Sequence, residues 1–305
     1  MKKDRLSIKQ LIKISRPYWW SITAIPFIAG SLLTGQPIEL ATFVGLLYFL
    51  FPYNLTLYGI NDIFDYKNDV KNPRKKGGIN GLPLEPRYHK GLWKIIALVN
   101  APFVVYFLVA GSMFSSLFLA SMFGLILSYV GFGFRYKSIP VMGSINSAFH
   151  YSAPFIFAIL LFNGFESWVG IFSTFFVWAV ACHMFSSIQD FESDRALKVS
   201  SIATKFGVRN TLYLSACLLV AAAVLPFIFY DVFGLLSHIS FWLAAGLVVS
   251  SFAVVPYLLI VLGNLVHYKK DTASRRALKA QKLLVILDLV LGSAIFAFIL
   301  YLYTR

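Results

Sequence analysis

The sequence predicts an all-α, polytopic membrane protein, and three observations carry that prediction. Of its 305 residues, 58% are hydrophobic and only 13% are charged. Apolar runs of about 18 residues or more, the length a helix needs to cross a hydrocarbon core, recur along the whole chain. The 27 Lys and Arg are also unevenly placed: all but Arg305 fall in the N-terminal segment or around alternate connections between the apolar runs.

Nine spans follow from the hydropathy pattern, at 18–33, 40–63, 92–109, 115–134, 141–162, 168–188, 212–230, 241–262 and 283–303. They read as one domain covering 1–305. The segment before the first span is basic and polar, with no cleavable signal peptide evident, so the first apolar run reads as retained. Basic residues cluster there and after the second, fourth, sixth and eighth spans, whereas the connections between carry none. The positive-inside rule then places the N-terminus in the cytoplasm and the C-terminus outside, in a cell (plasma) membrane. The same asymmetry accounts for the net charge of +14. Because the charge lies in short connections between spans, nucleic acid is not an expected partner. Cys182 and Cys217 lie inside apolar runs and read as small buried hydrophobes, with no disulfide expected.

The second span ends in Asn61-Asp62-Ile63-Phe64-Asp65-Tyr66-Lys67-Asn68-Asp69. At about 100° per residue, Asp62, Asp65 and Asp69 share one helix face, with Asn61 at its edge. Carboxylates crowded on one face repel, and each costs roughly 2.5–3.5 kcal/mol at the centre of a membrane helix. A divalent cation offsets both costs, and hard Mg2+ takes a few carboxylates together with phosphate oxygens. Asn54 and Tyr58 continue that face one and two turns deeper. They are pocket-lining candidates, or alternatively helix–helix hydrogen-bonding groups.

The connection 64–91 is the longest polar one, and its Pro and Gly argue against a continuous helix. It is a candidate lid or binding loop. The sixth span ends in a second acidic stretch, within a connection spanning 190–210. Asp190 and Asp194, four apart, share a helix face, and Glu192 points away. His183 lies on the face of Asp190, as a ligand-binding candidate or a satisfied core histidine. By parity of spans both acidic stretches lie at one membrane surface. If they face each other, metal ions between them could bridge a diphosphate. Arg74, Lys75, Arg135, Lys137, Arg195 and Lys198 lie on the same side and can neutralise phosphate charge.

The chain resembles the UbiA superfamily of intramembrane prenyltransferases. The family pattern N-D-x-x-D-x-x-x-D is matched by Asn61, Asp62, Asp65 and Asp69, and D-x-x-x-D by Asp190 and Asp194. Arg16-Pro17 and the stretch Phe134-Arg135-Tyr136-Lys137 also look like family positions. The resemblance implies a helix bundle around a central cavity and a metal-assisted reaction. Mg2+ held by Asp62, Asp65, Asp69, Asp190 and Asp194 would bind a prenyl diphosphate donor, and a hydrophobic acceptor would attack the allylic carbon. Asn61, Asp62, Asp65 and Tyr58 are then the catalytic candidates. Asn54, Arg74, Lys75, Arg135, Lys137, Lys198 and His183 are the substrate-binding candidates. The 30 Phe and 16 Tyr offer walls that tolerate an allylic cation, although most of them serve packing. Lys198 departs from the family, which often carries Gly near that place.

Within the superfamily, residues 61–81 look most like the lycopene elongase group, which makes a carotenoid such as lycopene the expected acceptor. Aromatic acceptors of quinone synthesis are the first alternative, and a phosphoribosyl-type transfer to a lipid phosphate is the second. An ion-coupled transporter is the reading from another class. It would place polar groups near the midplane with access from both sides, whereas these carboxylates sit at span ends.

Overall fold

The computed structural model describes residues 5–34, 36–72, 81, 83–164, 169–230, 241–269 and 272–303. The described residues form helices and connections, with no strand among them. In chain order the α-helices are α1 Ile8–Ile14, α2 Trp20–Leu33, α3 Leu40–Leu50, α4 Pro52–Asp69, α5 His89–Ala110, α6 Met113–Val130, α7 Met142–Leu161, α8 Val169–Ser187, α9 Phe191–Ala196, α10 Ile202–Phe206, α11 Val208–Tyr230, α12 Phe241–Val266 and α13 Ala273–Tyr303. Five stretches among the described residues are long and apolar enough to cross a membrane: Leu40–Asp69, Pro86–Ala110, Met113–Val130, Met142–Leu161 and Val208–Leu225. This is a multi-pass, membrane-embedded helical protein.

The chain packs in two compact units, one made of residues 1–136, 153–166 and 292–305, the other of 137–152 and 167–291. The core of the first is aromatic. Tyr48, Phe49, Tyr53, Phe27, Phe107 and Phe157 are all fully buried. Their rings meet edge-on or tilted, with the centroids of Phe107 and Phe157 5.0 Å apart and those of Phe27 and Phe49 5.1 Å apart. Gly45 makes the second contact possible, because a Cβ there would run into the Phe27 ring. The core of the second unit joins α8, α11 and α12 through Phe185, Leu212, Leu219, Val254, Tyr257 and Val261. In it Trp178 meets Tyr257 edge-on at 5.1 Å.

The structure departs from the sequence reading at four places. The second span is not one uninterrupted helix. Pro52 has no N–H to offer the turn before it, Phe51 leaves helical geometry at φ −120°, ψ −59°, and α3 stops at Leu50 before α4 restarts at Pro52. The fourth span ends at Val130 rather than residue 134, because Gly131 and Gly133 take φ of 153° and 97°. Cys217 is exposed on α11 rather than buried; a helix against lipid has no need to hide an apolar thiol. The N-terminal segment contains α1, opened by a capping box in which Gln10 N donates to Ser7 Oγ and Ser7 N donates to Gln10 Oε1.

Candidate active site

The first acidic motif occupies the last two turns of α4. Leu55 through Ile60 are buried, and the helix carries Tyr58, Asn61, Asp62, Asp65 and Asp69 along its length. Because α4 is helical through Asp69, the spacing of the carboxylates sets them on one face as expected. Their environments differ. Asp62 is fully buried, Asp69 is 7% exposed, and Asp65 and Asn61 are half-buried.

Asp62 is held by a residue far away in sequence. Arg16 Nη2 donates to Asp62 Oδ1 at 2.7 Å. The same guanidinium lies 4.3 Å above the ring centroid of Tyr58, one turn earlier on α4. Arg16 reaches this position from a left-handed backbone, φ 53°, between α1 and the 3-10 turn Pro17–Trp19. Gly81 closes the other side. Its φ is +85°, and a Cβ there would lie 3.0 Å from Asp62 Oδ2 and 3.1 Å from Arg16 Nε. Only glycine combines that φ with so close an approach. Thus Tyr58 and Asp62 form one assembly with Arg16 and Gly81.

Asn54 belongs to a different assembly. It is fully buried, and its Nδ2 donates to Phe49 O at 2.6 Å, to Leu50 O at 3.1 Å and to Thr23 Oγ1 at 2.7 Å. Thr23 Oγ1 in turn donates to Phe49 O at 2.7 Å. These bonds satisfy carbonyls left open where α3 ends. Of the two readings for Asn54, helix–helix bridging describes its amide nitrogen.

In the second unit, the other motif crosses a change of helix type. Ile188–Asp190 is a 3-10 turn, and Asp190 then serves as the N-cap of α9, which carries Asp194. Both carboxylates are half-buried, and Glu192 is exposed, as its register predicts. Next to Asp190, Gln189 Nε2 donates to Gln281 Oε1 at 2.6 Å. His183 Nδ1 lies 3.0 Å from Ser144 Oγ, so His183 has a side-chain partner within its own unit.

The basic candidates are spread. Arg135 is exposed with φ 48°, Lys137 is half-buried, and Lys198 is exposed with φ 54°. The left-handed conformation at Lys198 is one that glycine adopts without strain. Arg74 and Lys75, with the rest of 73–80 and residue 82 of the candidate lid, lie outside the described residues.

Among the described residues no three His, Cys, Asp or Glu side chains converge into a preformed metal cage. Mg2+ is a hard ion that takes carboxylate oxygens, one or two from the protein, and completes its shell with water and phosphate oxygens. The donor chemistry of Asp62, Asp65 and Asp69 on α4, and of Asp190 and Asp194 around α9, therefore fits the ion.

Sequence reading did not name Arg16, Gly81 or Thr23 as parts of these assemblies. Arg16 carried two signals: it is a cation at the foot of an apolar span immediately before a proline, and Arg16-Pro17 resembles a family position. Gly81 stood only within the stretch 61–81 that resembles the lycopene elongase group, and Thr23 carried no signal.

The UbiA prenyltransferase family pattern matches residues 23–286. A C(50) beta-cyclic carotenoids biosynthesis protein of Dietzia sp. is 33% identical over 290 residues, which cover 94% of this chain and 63% of that protein. The chain thus spans less than two thirds of that relative's length. A lycopene elongase/hydratase of Corynebacterium glutamicum is 35% identical over 221 residues, covering 72% of this chain and 76% of the relative. Among solved structures, a UbiA homologue from Archaeoglobus fulgidus bound to DMAPP and Mg2+ superposes with a TM-score of 0.69. It covers 93% of this chain and 99% of that one at 17% identity, a likeness of fold. The chain belongs to the UbiA prenyltransferase family.

Proposed function

We propose that this protein is a Mg2+-dependent membrane prenyltransferase. It moves a prenyl group from a prenyl diphosphate to a hydrophobic acceptor of the carotenoid type, lycopene being the first to test. The observation that carries the reading is the buried Asp62 at the head of three carboxylates on α4, in a chain with lycopene elongase/hydratase relatives.

Asp62, Asp65 and Asp69, with Asp190 and Asp194, are the residues that would hold Mg2+. When bound, the ion supplies Lewis-acid stabilisation of the diphosphate as its C–O bond breaks. Asn61, at the edge of the carboxylate face, orients the motif. Arg135, Lys137 and Lys198 are the described cations assigned to the charge on the departing diphosphate. Tyr58, whose ring lies under the Arg16 guanidinium one turn before Asp62, belongs near the reacting carbon. The allylic carbon loses diphosphate and gains a C–C bond from the π electrons of the acceptor. The cation left on the acceptor then sheds a proton or takes up water. Apolar helices exclude water from the earlier step. We place the protein in the plasma membrane, and the charge asymmetry of the connections supports an orientation with the N-terminus and both motifs cytoplasmic.

The test is transfer by purified protein in detergent. Radiolabelled dimethylallyl and geranylgeranyl diphosphates are offered with Mg2+ to lycopene and, separately, to para-hydroxybenzoate-like aromatics. Label in the carotenoid fraction, lost with EDTA, is the expected result. Label in an aromatic product alone replaces the acceptor. No transfer to either overturns the reading.

A further inference from the structure

Asp62 is the most enclosed carboxylate of its motif, and what encloses it is a cation of the chain itself. Arg16 places a full positive charge 2.7 Å from Asp62 Oδ1. Three features hold the guanidinium there. The Tyr58 ring lies beneath it at 4.3 Å. The backbone around Arg16 is fixed on both sides, with Arg16 N donating to Lys13 O at 3.2 Å and Trp19 N donating to Arg16 O at 2.9 Å. Gly81 packs against both members of the pair, within about 3 Å of each by the position its missing Cβ would take. The arrangement is built: Arg16 takes one of the two carboxylate oxygens a metal ion could use, and Gly81 packs against the other.

Two cations cannot both claim one carboxylate oxygen at bonding distance without strong mutual repulsion. We propose that Arg16 is a positioning residue that competes with the divalent cation for Asp62. The guanidinium serves as the carboxylate's counter-ion until the metal takes the oxygen, and it is then released to an anion. This rests on the reading of Asp62 as a Mg2+ ligand. The exchange has a functional consequence. A freed guanidinium is a strong, forked phosphate binder, so the cation and the diphosphate are admitted together. Asp62 is not left as a bare buried charge in the interval, a state that costs heavily in an apolar setting. Only the side chain has to move, because the backbone contacts of Arg16 do not involve Asp62.

A merely structural ion pair predicts the opposite sign. If Arg16 only braces Asp62, removing it disorganises the ligand and weakens metal binding. If Arg16 competes, removing it tightens metal binding. The experiment measures Mn2+ binding to the full chain in detergent, by the electron paramagnetic resonance signal of free Mn2+, with neither donor nor acceptor present. Arg16→Gln is expected to lower the Mn2+ dissociation constant by about tenfold, within the usual range of coupling between two binding events. Arg16→Lys keeps the charge but loses the fork and most of the stacking, so its constant falls between the two. The gain disappears when Asp62→Asn is added to Arg16→Gln. Should Arg16→Gln not yield monodisperse protein, the sign of the change in Arg16→Lys decides. Equal or weaker binding in the folded variants overturns the competition and leaves the metal reading standing. No saturable Mn2+ binding by the unaltered protein overturns both.

Discussion

Asn54 and Thr23, 31 residues apart, are joined by a hydrogen bond of 2.7 Å and share the carbonyl of Phe49 as an acceptor. The pair ties α2 to the break between α3 and α4. A helix broken inside apolar surroundings needs its open carbonyls satisfied from elsewhere in the protein. Asn54→Leu removes the amide whose two hydrogens are shared among Phe49 O, Leu50 O and Thr23 Oγ1, and leaves the Leu50 carbonyl without its side-chain donor. The expected cost is about 1–3 kcal/mol, read as a lower midpoint of thermal unfolding in detergent. An unchanged midpoint would mean that the break is held by aromatic packing alone.

The carboxylates separate by role. Asp62→Ala and Asp190→Ala should each lower prenyl transfer by roughly a hundredfold or more, the scale on which removing one electrostatic stabiliser is felt. Both proteins should still elute as folded species. Glu192→Ala, on the exposed side of α9, should keep most of the activity. Full activity in either aspartate variant would remove that motif from the chemistry, and equal loss in Glu192→Ala would mean that the helix register assigned to this motif is wrong.

Lys198 carries a backbone cost. Its φ of 54° is unfavourable for any residue with a Cβ, by about 1–2 kcal/mol. Lys198→Gly relieves that cost but gives back part of it through a more flexible unfolded chain, so stability should rise slightly or hold. If the side chain also meets the diphosphate, the KM for the donor rises in the same variant. Unfolding and kinetics measured on one preparation separate the two effects.

Gly81 is expected to be the least tolerant position described outside the helices. Gly81→Ala forces a Cβ into φ +85° and into contact with Asp62 Oδ2 and the Arg16 guanidinium. The variant should lose about 1–2 kcal/mol from the backbone alone, with a larger proportional loss of transfer. Activity at the level of the unaltered protein would show that the segment withdraws from Asp62 during turnover.

How much of this was legible in the sequence depends on the range of the interaction. Helices could be found because their signal is local: an apolar run long enough to cross lipid has one stable solution. The grouping of Asp62, Asp65 and Asp69 was legible for the same reason, since helical periodicity acts over a few residues. The break at Phe51 was half-legible. Pro52 announced it, but proline inside membrane helices is often tolerated, as at Pro26, Pro102, Pro154 and Pro256 here. The Arg16–Asp62 pair was not legible. Its partners are 46 residues apart, and no periodicity links a residue between two short helical segments to one turn of a later helix. The left-handed Lys198 showed only as a departure from the family's glycine.

The placement of Arg16 also bears on how this protein can be handled in the laboratory. The short helix α1 and its capping box look like an expendable leader before the first crossing, the part a designer would trim or replace with a purification tag. It is instead the arm that delivers a guanidinium to the base of α4. A product starting at Pro17 would retain every apolar run and every aspartate of the two motifs, and would insert into a membrane. It would also carry a fully buried Asp62 carboxylate without the Arg16 guanidinium beside it. Fusions that crowd the first sixteen positions should therefore be judged by metal binding rather than by yield.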